Sequence, residues 1–185
     1  MIRKIVSAAL PVITSMFKQD CCLNASRVLI EVCRELGHPA RPLAVEAVAM
    51  NAEWVAFLAE HERTPEQGEC PGAWALGCLG PQYMSENGYE GHVVVWTQGH
   101  LVDLSAAQFS RPDRSIKTPE AIVARTPAAW ERGEINLALP MPDGAVLSYL
   151  ALPRERAFED TPGFARSAHN LEAARQIRAR LLALA

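Results

Sequence analysis

The stretch His92-Val93-Val94-Val95-Trp96-Thr97-Gln98-Gly99-His100-Leu101-Val102-Asp103-Leu104 decides the fold. His92 to Trp96 is β-branched and aromatic, Leu101 to Leu104 is a second short apolar run, and Thr97 to His100 supplies turn residues between them. Two such runs across a short polar link read as an antiparallel hairpin. With the strands paired symmetrically about Gln98-Gly99, Val94 lies opposite Asp103, and His92 shares that face diagonally across. Diagonal neighbours stand about 7–8 Å apart at Cα, which a His and an Asp side chain close once the sheet twists. A slip of one residue sends one of the two to the other face, so the pairing is a sharp expectation.

Upstream, Ala25, Leu29, Val32 and Leu36 form one apolar stripe at helical spacing. This predicts a helix from about Cys21 to Leu36, N-capped by Asp20 and stopped by Gly37 and Pro39. Arg41 to Met50 alternates as a strand, and Ala52 to Glu60 reads as a short helix around Trp54, Phe57 and Leu58. His61 to Gly91 is rich in Gly, Pro, Glu and Asn, apart from an apolar island at Ala73 to Leu79. It reads as one long irregular segment, of the kind that serves as a lid, here Thr64 to Glu90. Downstream, Ile135 to Leu139 and Val146 to Leu150 make a second hairpin turned by Pro142-Asp143-Gly144, and Ala165 to Leu182 is a terminal helix. Helices, then antiparallel strands, then a helix predict a single α+β domain over residues 1–185.

Composition narrows the function. The chain is 49% hydrophobic and 21% charged with a formal net charge of −3, and its 18 Lys and Arg form no run, so no face is built for nucleic acid. No apolar stretch is long enough to span a bilayer. Met1 to Phe17 imitates a secretory signal, with Arg3 and Lys4 ahead of an apolar stretch. Pro11 interrupts it and Ser15-Met16-Phe17-Lys18 is a poor cleavage site, so the expectation is a first helix bent near Pro11 in a cytoplasmic protein. Five cysteines suit neither a disulfide framework nor zinc, since no Cys-x-x-Cys occurs, and nothing calls for a cofactor or metal.

Three features carry chemistry: Asp20-Cys21-Cys22 at a helix start, His92 at the head of a strand, and Asp103 on the return strand. A thiol at a helix N-terminus sits where unpaired N–H groups and the macrodipole favour an anion. An imidazole beside it takes the thiol proton and later protonates the leaving group, while a carboxylate orients the ring. Cys21 is the alternative nucleophile. Gln19 is a candidate oxyanion donor, Trp96 a candidate wall of the substrate cleft, and Gln108 and Arg111 candidates to line the site just after Asp103. Cys33 is expected in the core. The acidic patch at Glu60, Glu62, Glu66 and Glu69 reads as a solvated loop.

Cys22 to Arg41, CLNASRVLIEVCRELGHPAR, resembles the transglutaminase-like superfamily, in which a nucleophilic Cys opens a helix ending about fifteen residues later in Gly-x-Pro-Ala-Arg. Gly91 to Trp96 and Leu101 to Leu104 are similar to its next elements, a His beginning a strand and an Asp on the following one. The register of Gly against Cys selects Cys22. The resemblance implies a papain-like α+β core and a Cys22-His92-Asp103 triad. It also implies acyl chemistry on a peptide, protein or small acyl substrate, as hydrolysis or acyl transfer. Arylamine N-acetyltransferases and papain-like peptidases share that logic. Two alternatives stand beside it: an inactive member of the fold acting as a binding or scaffold module, and a thiol sensor built on Cys21 and Cys22. Nothing in the sequence specifies an oligomeric state.

Overall fold

The computed structural model describes residues 1–18, 21–78, 83–85 and 88–183. Its elements run α1 (Ile2–Met16), α2 (Cys22–Glu35), β1 (Ala40–Met50), α3 (Ala52–His61), β2 (Ala75–Cys78), β3 (Tyr83–Ser85), β4 (Gly88–Glu90), β5 (His92–Thr97), β6 (His100–Asp103), β7 (Ile122–Arg125), α4 (Ala128–Glu131), β8 (Asn136–Pro140), β9 (Val146–Ala151) and α5 (Ala168–Ala183). One antiparallel sheet has the order β7-β6-β5-β1-β9-β8, with β2 also paired to β1. β1 organises it. One edge of β1 takes β5 along Ala40–Val45 and then β2 along Ala47–Met50, and the other edge takes β9. Gly77 makes the second junction possible, because a Cβ there would lie 2.0 Å from the Ala47 carbonyl oxygen.

The two faces of β5 explain why it reads as a continuous apolar run. Val95, with Val102 and Leu104, packs under α1, α2 and α5 against Ile5, Ala9, Val28, Leu29 and Ile177. Val93 packs with Ala44, Phe158 and Phe164. Val94 and Leu101 point to the concave face, where Leu43, Val45, Tyr149, Phe109 and Trp130 fill the curl of the sheet. A strand covered on both sides needs apolar residues on both sides. His92 is the polar residue admitted to the concave face, and it is 1% exposed.

The expected elements appear with their ends moved by only a few residues. The hairpin has the expected register, Val95 opposite Val102 and Trp96 opposite Leu101. Gln98 and Gly99 both adopt positive φ, 49° and 73°, as the two-residue turn that matches strand twist requires. Three expectations change. The segment from His61 to Gly91 contains β2, β3 and β4, each too short for a periodicity to show, and β2 belongs to the main sheet. β7, four residues along β6, was not expected at all. α1 runs unbroken through Pro11. The Asp20 cap and Gln19 lie outside the described residues, and the N-cap position of α2 is Cys21 with no side-chain cap. No described helix is long and apolar enough to cross a membrane.

Candidate functional site

Asp103 ends β6 and is 1% exposed, and a buried carboxylate must be supplied with donors. It has four. Its Oδ1 accepts from the backbone N–H of Ser105 at 2.8 Å and from the Ser105 hydroxyl at 2.9 Å. Its Oδ2 accepts from Tyr149 Oη–H at 2.9 Å and from His92 Nε2 at 2.8 Å. Burial works to raise the Asp103 pKa, but the His92 charge and these hydrogen bonds outweigh it and hold the carboxyl below its ordinary value. Burial likewise opposes a charged His92, yet Asp103 and the Cys22 thiol hold the ring well above 6.5. Phe109 closes on the ring edge-to-face at 5.1 Å between centroids.

With Nε2 committed to Asp103, Nδ1 is the nitrogen left for other partners. Gln108 Nε2 lies 2.8 Å from it. The Cys22 thiol adds to what raises the ring's pKa. The thiol also stands 4.0 Å from the carbonyl oxygen of Gly91, the residue before His92. Cys22 is the first residue of α2, and Ser26, one turn on, donates its hydroxyl to the Val93 carbonyl at 2.9 Å. That bond ties the helix start to the strand that carries His92. Cys78 and Tyr89 are electrostatic neighbours of Cys22, and burial pushes the pKa of each upward, so both stay protonated at neutral pH.

The structure therefore brings His92, Asp103 and Gln108 together, with the Cys22 thiol against the carbonyl of Gly91, the residue before His92. Cys21 goes elsewhere, lining a cavity of about 300 Å³ with Ile13, Phe17, Leu104 and Ser105. Trp96 shares the face of His92 but sits four residues along β5. There its indole N–H donates to Thr126 Oγ1 at 3.2 Å and its ring lies under Arg41 at 5.1 Å. Arg111 is exposed and donates to the Gln108 and Ser110 carbonyls. Cys33 is in the core, where burial pushes its pKa up to about 11. All five cysteines are free thiols, and among the described residues no three His, Cys, Asp or Glu side chains gather to hold a metal ion.

Sequence reasoning gave Ser105 only the turn after Asp103 and gave Tyr149 no role. Ser105 was signalled, because an Asp two residues before a Ser is an Asx-turn pattern. Here Asp103 makes that turn with one oxygen and meets His92 with the other. Tyr149 had no such signal. Between β6 and β9 lie β5 and β1, so a flat sheet would separate the two strands by about 14 Å. The curl of the sheet brings its hydroxyl to Asp103. Comparisons with family models, curated proteins and solved structures each found no match.

Proposed function

We propose that this chain performs thiol-dependent acyl chemistry on an amide or thioester, with Cys22 as nucleophile, His92 as proton carrier and Asp103 as the group that orients the ring, on a papain-like, transglutaminase-like core. One observation carries the reading. His92 is bonded through Nε2 to a buried, four-donor carboxylate, and the thiol that opens α2 stands 4.0 Å from the carbonyl oxygen of Gly91, the residue before His92. A purely structural histidine has no need of a thiol at a helix start held against the head of its strand.

In this scheme Cys22 sulfur attacks the carbonyl carbon and its proton passes to His92 Nδ1. The backbone N–H of Cys22, in the first turn of α2 and so without an intrahelical acceptor, faces the negative charge that develops on the carbonyl oxygen. His92 then protonates the leaving amine or thiol, leaving a thioester on Cys22, and water or an amine resolves it. Asp103 keeps Nε2 protonated throughout, so that Nδ1 is the nitrogen that exchanges protons. The substrate is a peptide, a protein or a small acyl compound. Five free thiols suit a reducing, cytoplasmic setting.

The test is intact-mass spectrometry after brief exposure to 4-nitrophenyl acetate at neutral pH. The expected result is a single acetyl adduct mapped to Cys22, lost in Cys22→Ala and strongly slowed in His92→Ala. Labelling spread over Cys70, lysines and Cys22 alike, with no effect of His92→Ala, would leave the inactive-scaffold alternative in its place.

A further inference from the structure

An imidazole nitrogen has one bonding direction, in the plane of the ring. At His92 Nδ1 that direction is taken by the Gln108 amide at 2.8 Å, while the Cys22 thiol stands beside the same strand start, 4.0 Å from the Gly91 carbonyl oxygen. Once Cys22 carries an acyl group, its sulfur has no proton to share. Nδ1 must then take a proton from whatever attacks the thioester, since Nε2 is held by Asp103. The attacking O–H or N–H therefore has to come within hydrogen-bond distance of an atom that Gln108 covers.

Gln108 is held there by the same network. It lies on the single turn Ala106–Phe109, between the buried side chains of Ala106 and Phe109. Its backbone N–H donates to the Ser105 carbonyl at 3.0 Å, and Ser105 is bound to Asp103. Thr118 anchors the turn through the Ala106 carbonyl at 2.8 Å. The terminal amide rotates about a broad torsion, so it can present N–H to a bare Nδ1 or its oxygen to a protonated one. A neutral group of this kind keeps the position filled in either charge state of the ring.

We propose that Gln108 occupies the seat of the acyl acceptor and thereby sets the division between hydrolysis and transfer to an amine. This rests on the acyl-enzyme reading above. In the step concerned, the acceptor oxygen or nitrogen forms a bond to the acyl carbon and its proton passes to His92 Nδ1. The carbon–sulfur bond breaks with its electron pair on Cys22 sulfur, which recovers the proton from the ring. Water has nothing with which to hold the amide aside. A primary amine bound by the rest of its structure does, so the filled seat disfavours water.

The experiment acetylates the full chain with 4-nitrophenyl acetate in the presence of butylamine and measures the ratio of N-butylacetamide to enzyme-derived acetate, for wild type, Gln108→Ala and Gln108→Leu. The ratio is read within each protein, so differences in acylation rate cancel. Gln108→Ala empties the seat, and the amide-to-acid ratio is expected to fall about tenfold, the rate equivalent of one neutral hydrogen bond. Gln108→Leu refills the volume without the polar group, and its ratio is expected to stay near wild type. Equal ratios in wild type and Gln108→Ala overturn the proposal, as does an equal fall in both variants, which would assign the effect to the hydrogen bond on the ring. Absence of a Cys22-dependent acyl-enzyme in wild type overturns the underlying reading instead, and the two failures are distinct.

Discussion

Tyr149→Phe removes one atom, the hydroxyl oxygen that touches Asp103, and leaves the shape of the core unchanged. The lost hydroxyl donates to Asp103 Oδ2 at 2.9 Å, within a carboxylate that is 1% exposed. A hydrogen bond to a buried charge contributes about 1.5–3 kcal/mol, and three donors remain on Asp103, so about 2 kcal/mol is expected at pH 7. Burial and the neighbouring carboxylate both push the Tyr149 pKa well above 10, so the hydroxyl is a donor throughout the accessible range. Asp103 is held below its ordinary 3.8 in the folded chain, so its contribution to stability is complete above that value and disappears as pH falls through the folded value. The cost of Tyr149→Phe should therefore be largest at neutral pH and shrink toward about 1 kcal/mol or less once Asp103 is protonated. Urea unfolding followed by tryptophan fluorescence reads this well, because buried Trp130 donates to the Tyr149 carbonyl at 2.9 Å. At about 2–4 °C per kcal/mol for a chain of this size, the melting temperature should fall by roughly 4–8 °C. A loss under about 0.5 kcal/mol at pH 7, or one equal at pH 7 and in acid, would refute the reasoning.

Asp103→Asn removes the strongest influence that raises the His92 pKa and leaves only Cys22 against burial, so the ring should titrate well below its wild-type midpoint, and the limb of any Cys22-dependent activity that reports the ring should move down with it. Imidazole proton shifts in the two proteins read this directly, and an unchanged midpoint contradicts it. Glu31→Gln acts away from the site. Glu31 is 1% exposed and bound by Arg27 at 2.6 Å, by Arg34 and by Arg166 at 3.3 Å. Its loss should cost about 2 kcal/mol, less than the 3–5 of a fully buried pair, because Arg34 and Arg166 are more than half exposed. A urea midpoint within error of wild type would contradict that.

What was legible in the sequence followed from local rules. Gln98-Gly99 dictates a turn whose geometry sets the register, and the register alone puts His92 and Asp103 on one face. The apolar stripe of Ala25, Leu29 and Val32 marks both the helix and its start beside Cys22. Two things escaped. Strands of three or four residues, such as β2 and β4, lie below the length at which alternation can be recognised, and β2 is placed by the absence of a side chain at Gly77. Tyr149 depends on how far the whole sheet curls, which no local pattern encodes. Gln108 was singled out only as a neighbour in sequence. Its contact with Nδ1 depends on the single turn after Ser105.

The most direct test of the account is the pH dependence of iodoacetamide alkylation on the native protein, resolved cysteine by cysteine by peptide mass spectrometry, in wild type and His92→Ala. Cys33, with a pKa of about 11, is the internal standard for an inert thiol. Cys22 alone is expected to react fast well below pH 8 and to lose that advantage when His92 is removed. A Cys22 that reacts no faster than Cys21 or Cys70, and that ignores the loss of His92, would contradict it.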